Sequence, residues 1–208
     1  MSLLIINVLA FAVAYVLTKG IKGSNIFRTV FFMPNLIGGI VLGYIWSMIF
    51  DGILSRYNTS ILLNSTYGFW GLIILMAWQQ IGYMMIIYIA GLQAVPGDML
   101  EAAKIDGASE WKTLWDIIIP NVMPSITICT FLTLTNSFKL YDQNLALTNG
   151  RPYNGAIHTT EMLALNIVNS NTLKTKGVGQ AKAVMFFVLV AIIGIFQMKS
   201  THDKEVQQ

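Results

Sequence analysis

Five long intervals of the chain carry no charged side chain, and this constrains its folds more than any other feature. They cover residues 1–18, 29–50, 57–97, 117–138 and 183–198. A membrane-crossing helix needs about 20 apolar residues, with a tolerance of roughly 17 to 25. A charge at the centre of such a helix costs roughly 2.5–3.5 kcal/mol, so uncharged runs of this length are informative. Composition agrees: 11% of the 208 residues are charged, against roughly 25% in ordinary globular domains, and the mean hydropathy is +0.62. Too few polar side chains exist to cover a water-soluble domain of this length. The runs are continuous, without the period-two alternation of a membrane barrel, so the spans are helices.

In the third interval the first part, NTSILLNSTYG, is polar and turn-like; its apolar part begins near Phe69 and ends near Ala94. The expectation is an all-α, polytopic membrane protein forming a single domain over 1–208, with about five helices at 2–18, 29–50, 69–92, 120–138 and 182–199. The last is short, roughly 24 Å for its uncharged part, and Lys182 and Lys199 flank it in positions to snorkel to the interfaces. Pro34, Gly38, Gly39 and Gly43 in the second span read as tolerated kinking and close helix packing. Lys19, Lys22 and Arg28 follow the first span and Arg56 alone follows the second, which places 19–28 in the cytoplasm and 51–68 outside. Alternation then puts the 93–119 loop inside, 139–181 outside and the tail from Lys199 inside. A chain that starts outside, with no positive residue before its first apolar run, does not look like one led by a signal peptide. The expectation is that an earlier span is missing, through truncation or a misassigned start.

The segment 93–120, QAVPGDMLEAAKIDGASEWKTLWDIIIP, is the most structured loop in the sequence. Asp98 and Glu101 have capping-box spacing for a short helix, Gly107 supplies a left-handed residue to end it, and Ser109 can cap a second helix. Trp111, Leu114, Trp115 and Ile118 fall at i, i+3, i+4 and i+7, one apolar stripe. Pro120 biases Ile119 away from helix before the next span. The residues alone leave two readings open: an interfacial anchor, or a docking element that offers acidic groups to a basic cleft. A DNA-binding helix-turn-helix has similar spacing but the wrong charge. Asp98, Glu101, Asp106, Glu110 and Asp116 against Lys104 and Lys112 leave a net charge of −3, which phosphates repel. No nucleic-acid partner is expected.

The string EAAKIDGASEWKTLWDIIIPNVMP resembles the EAA signature of permease subunits of binding-protein-dependent ABC importers, with Glu101, Ala102, Ala103, Asp106, Gly107, Ala108, Trp111, Ile119, Pro120 and Pro124 at the signature spacing. FRTVFFMPNLIGGIVLGYIWSMIFD (27–51) and NSFKLYDQNLALTNGRP (136–152) are similar to segments of the maltose and multiple-sugar permeases, although the family's external turn has more glycines and here holds Arg151. The resemblance covers nearly the whole chain from the family's second span onward.

It implies a type I importer permease fold lacking its first span, in the plasma membrane of a prokaryote. A second permease subunit, two ABC ATPase subunits and an extracellular solute-binding protein are the implied partners, with a sugar or oligosaccharide as substrate. Glu101, Ala102, Ala103, Asp106, Gly107, Ala108, Trp111 and Pro120 would then form the ATPase-coupling loop. Glu101 would pair with a basic ATPase residue, Ala102 and Ala103 would allow close approach, and Gly107 would permit the turn. No G-x-x-x-x-G-K-(S/T) occurs in the chain, so the chain is not expected to be an enzyme; ATP and Mg belong to the partner ATPase and no cofactor or metal is expected here. Polar groups in spans are candidates for the substrate path: Gln79, Gln80 and Tyr83 in the third, and Asn136, Ser137 and Tyr141 near the end of the fourth. Each also suits an interhelical hydrogen bond or interfacial anchor. The alternatives are an ABC permease for glycerol phosphate or another polar solute, and, in a different class, a secondary transporter or channel. The uncharged spans count against proton coupling.

Overall fold

The structure is a computed structural model that describes residues 1–149, 153–154, 157–158, 160–171 and 176–205. The expected external turn at Gly150, Arg151 and Pro152 lies outside the described residues. Helix α1 (Ser2–Thr18) is too short to be an unambiguous span. It buries Ile6, Ala10, Ala14 and Leu17 on one face, whose alanines let it lie close against α4 (Ser65–Gln93). Among the described residues, three helices are long and apolar enough to cross a membrane: α4, the run Glu110–Phe138, and Lys176–Gln197 within α10 (Lys176–Glu205). Of these α4 is the hub, with 67% of its apolar window buried against 6% for α10. The outward side chains of α10, among them Val184, Phe187 and Ile192, suit hydrocarbon or another membrane chain.

The expected span over 29–50 is broken. Helix α2 (Ser24–Phe32) passes into a 3₁₀ turn, Met33–Leu36, and α3 (Gly39–Leu54) departs at 101°. Pro34 starts the 3₁₀ turn, as its fixed φ and missing N–H allow. Ile37 and Gly38 are extended, with ψ of 130° and 142°. A free backbone carbonyl at membrane depth must find a donor; that of Ile37 accepts from Gln79 Nε2 at 3.3 Å. The expected kink is therefore a full break whose carbonyl is met by a side chain of α4.

Between α1, α4 and α7 (Ile119–Phe138) runs a polar seam. Tyr88 donates to Asn7 Oδ1 at 2.7 Å, Asn7 Nδ2 donates to Thr133 Oγ1 at 3.3 Å, and Thr133 donates to the Cys129 carbonyl at 2.7 Å. Hydrocarbon offers these groups no alternative partner, so the bonds fix the register of three helices.

The segment 139–181 is more than an external loop. Helix α8 (Asp142–Leu147) folds back onto α3, and Asn144, fully buried, donates to the Thr160 carbonyl at 2.6 Å and accepts from the Met162 N–H at 3.0 Å. Strands β1 (Tyr153–Asn154) and β2 (Ile157–His158) pair antiparallel. Helix α9 (Leu163–Ser170) then leads to α10. The expected boundary at Lys182 moves: α10 begins at Lys176, and Lys182 lies inside it, donating to Asn166 Oδ1 and Ser170 Oγ of α9, both at 2.7 Å. An ammonium packed between two helices is satisfied by such acceptors rather than by snorkelling.

A candidate coupling loop and a broken-helix cluster

Pro96, extended at ψ 129°, precedes helix α5 (Gly97–Ile105). The capping box expected of Asp98 and Glu101 does not form, because Pro96 occupies the cap and Asp98 falls in the first turn. There its carboxylate accepts from the Met99 N–H at 2.9 Å, and a negative charge suits the exposed N–H groups of that turn. The other end is a Schellman motif: the Ala108 N–H reaches the Ala103 carbonyl at 2.9 Å and the Gly107 N–H reaches that of Lys104 at 3.2 Å. Gly107, at φ +71°, provides the left-handed residue it requires. Ser109 Oγ accepts from the Lys112 N–H at 3.3 Å and caps α6 (Glu110–Thr113).

The chain does not stop at Pro120. A π turn, Leu114–Ile118, in which the Ile119 N–H bonds the carbonyl five residues back, joins α6 to α7. Pro120 stands in the first turn of α7, where a proline is tolerated, and Asn121 Nδ2 takes up the Ile117 carbonyl at 2.7 Å. The expected apolar stripe is split. Ile118 is buried and Leu114 packs on the core, whereas Trp111 and Trp115 are 70% and 60% exposed. Ile105 joins them at 85%. Glu101, Ala102, Asp106 and Gly107 are exposed, Ala108 is half-buried, and Ala103 faces the bundle at 6% exposure. Exposed large apolar side chains on the same loop as the exposed carboxylates of Glu101, Asp106 and Glu110 mark an interaction surface. One ion pair ties it to α1: Lys19 Nζ meets Glu110 Oε2 at 2.7 Å and lies 4.8 Å from the Tyr15 ring centroid. The hydrogen bond to Glu110 holds the Lys19 ammonium above its ordinary pKa.

At the break in the second span, Gln79 does two things. Its Nε2 holds the Ile37 carbonyl, and its Oε1 accepts from Gln143 Nε2 of α8 at 2.9 Å. Tyr83 stands one turn along the same face of α4 and is 36% exposed. Trp46 of α3 packs edge-on to Trp78 at 5.6 Å, and its indole N–H is buried without a hydrogen-bond partner, as is Gln80 Oε1. Ser137 sits elsewhere, on the seam, donating to the Thr133 carbonyl at 2.8 Å and lying 3.5 Å from Ser2 Oγ. Asn136 and Tyr141 are half-buried at the far end of α7, Tyr141 two residues before Gln143. The structure thus joins Gln79, with Tyr83 one turn further along α4, to a residue the sequence reading missed, Gln143. Its signal is the Pro34…Gly38-Gly39 interruption in an apolar run, the mark of a discontinuous membrane helix and its polar lining.

Comparison with known proteins fits this geometry. Residues 6–199 match the family described as "Binding-protein-dependent transport system inner membrane component". The chain is 42% identical to the probable starch degradation products transport system permease protein AmyD of Thermoanaerobacterium thermosulfurigenes, over 99% of this chain and 72% of that one. It is 30% identical to the multiple sugar-binding transport system permease protein MsmF of Streptococcus mutans, over 96% and 71%. In fold it resembles a chain of a bacterial ABC transporter that imports the acidic polysaccharide alginate, with a TM-score of 0.78 at 15% identity, covering 97% of this chain and 77% of that one. The chain is a multi-pass membrane protein and belongs to the family of binding-protein-dependent transport system inner membrane components.

Proposed function

We propose that the chain is the permease subunit of an ABC importer for a sugar or oligosaccharide, and that residues 97–118 are the lever by which an ATPase drives it. The observation that carries the reading is the exposed surface of α5 and α6, with its carboxylates, tryptophans and Schellman-ended first helix. A rigid turn joins the two short helices; the short link 94–96 ties the first to α4, and the π turn runs the second into α7. Displacement of the loop therefore moves spans on both sides of the core, the rigid-body transition such transporters require. Glu101 would form a charge-assisted bond to a basic ATPase residue, Ala102 would admit close contact, and Asp106, Gly107, Ala108 and Trp111 would shape the seat. Ala103 and Pro120 would fix the loop to the bundle. ATP and Mg are bound and used by the ATPase, a second permease completes the path, and an extracellular binding protein delivers the substrate.

The substrate path is read at the break between α2 and α3. Gln79, Gln143 and Tyr83 provide amide and phenol groups for sugar hydroxyls, and an aromatic face such as Tyr83 suits the apolar side of a sugar ring. Asn136 and Tyr141 are further candidates near the end of α7, whereas Ser137, turned to the seam, serves the helix packing. The names of AmyD and MsmF support a sugar. The test is import by proteoliposomes holding the chain with its second permease, ATPase and binding protein. ATP-dependent accumulation of labelled malto-oligosaccharide is expected; accumulation of glycerol phosphate and not of any sugar would overturn the substrate assignment.

A further inference from the structure

The loop 93–118 packs on the bundle through Val95, Leu100, Leu114 and Ile118, but a half-open cleft of about 530 Å³ remains between loop and helices, with Tyr15, Leu92, Val95, Leu100, Ala108 and Ile118 in its walls. Helix α5 turns Leu100 and Ala103 to the bundle, and the π turn after α6 is a point where a helix can give. Backbone continuity joins the loop to α4 and α7. No backbone joins it to α1, yet Lys19 at the end of α1 reaches across 91 positions of sequence to Glu110 at 2.7 Å, over the rim of the same cleft. The Tyr15 ring beneath the ammonium limits where Lys19 can go. An ion pair this exposed adds little to stability, so its value lies in the geometry it imposes.

We propose that the Lys19–Glu110 pair is a third attachment of the coupling loop, and that Lys19 is a positioning residue carrying the loop's movement to α1. This rests on the reading of 97–118 as the coupling loop. With the pair intact, loop, α1, α4 and α7 move together. With it broken, α1 follows only through its packing on α4 and the polar seam, the cleft and the π turn absorb part of the stroke, and less substrate is imported per ATP hydrolysed.

The test is import per ATP hydrolysed by the assembled, reconstituted transporter, alongside its amount and melting temperature. Lys19→Glu should lower the ratio at least about threefold at unchanged assembly and melting temperature, Glu110→Lys should lower it similarly per assembled transporter, and Lys19→Arg should keep it. The double exchange should restore it to within about twofold, the behaviour of two residues that act on one another. Single reversals with a wild-type ratio would overturn the proposal. So would an exchange no better than its worse parent, which would mean that Glu110 serves an ATPase contact instead. A wild-type assembly whose import ignores ATP would sink the coupling reading, and this role with it.

Discussion

The same substitution at two positions of α3 should act with opposite sign. At Gly43 an added methyl would stand 2.5 Å from Ala146 Cβ, 3.0 Å from the Leu147 nitrogen and 3.1 Å from the Gln143 carbonyl oxygen. Carbons in contact prefer roughly 3.5–4.0 Å. Two of the three neighbours are backbone and the third is a methyl on it, so no side chain can swing aside. Helix α8 must retreat by about 1 Å or more, an overpacking that costs roughly 1–3 kcal/mol. Replacing a helical glycine returns about 0.5–1 kcal/mol, leaving Gly43→Ala destabilising by about 1–2 kcal/mol. At Gly52 nothing lies within 4 Å of an added methyl, so Gly52→Ala keeps only the gain. For a domain of this size about 1 kcal/mol moves the melting temperature by roughly 2–4 °C. Thermal unfolding of the detergent-solubilised transporter should thus show Gly43→Ala falling and Gly52→Ala rising. The retreat also carries Gln143 off Gln79, stretching a 2.9 Å bond beyond hydrogen-bonding range, so import should drop in the first variant alone. If Gly43→Ala melts as high as Gly52→Ala, α8 does not pack on α3 as described.

Other outcomes follow from the same structure. Tyr88→Phe removes one bond of the seam and should cost about 0.6 kcal/mol, the usual size of an interhelical bond in a membrane; a loss several times larger in the same melting assay would mean the seam acts as a unit. Gln79→Leu frees the Ile37 carbonyl and Gln143 together and should abolish import while the chain still inserts, whereas Ser137→Ala, on the seam, should keep most of it. Equal import by the two variants would move the substrate path away from the break. At Gly107, with φ +71° and open space around it, Ala should cost about 1–2 kcal/mol from the left-handed backbone, and Asn less, while Trp should block docking; circular dichroism and import measured together separate these effects.

Much of this was readable from residue order, and what was not has physical causes. Charge-free length alone marked α4 and α7, since hydrocarbon penalises charge wherever it stands. Gly107 and Ser109 were readable because a left-handed residue and a cap act within a few positions of themselves. Pro34 and Gly38 fit a kink or a break equally; what decides between them is Gln79, 42 residues away. Helix α8 depends on Gly43 giving up its side chain to Ala146, a fit no local propensity records. The stripe from Trp111 to Ile118 was right in spacing, but only Leu114 and Ile118 turn to the core; Trp115 lies within the π turn, which changes the angle at which its side chain emerges, and Trp111 stands before it, on the exposed four-residue helix α6. Among the site residues, the EAA positions were legible as a motif, while Gln143 had to be brought to Gln79 by the fold.

If residues 97–118 hold the ATPase, its binding must depend on them. The most direct measurement is the amount of ATPase subunit that co-purifies with the tagged chain from membranes, for wild type, Glu101→Lys and Gly107→Trp, normalised to inserted chain. A stoichiometric ATPase is expected with the wild type, and its loss, with import, in both variants at unchanged insertion. An ATPase retained by both variants, with import intact, would contradict this role of the loop.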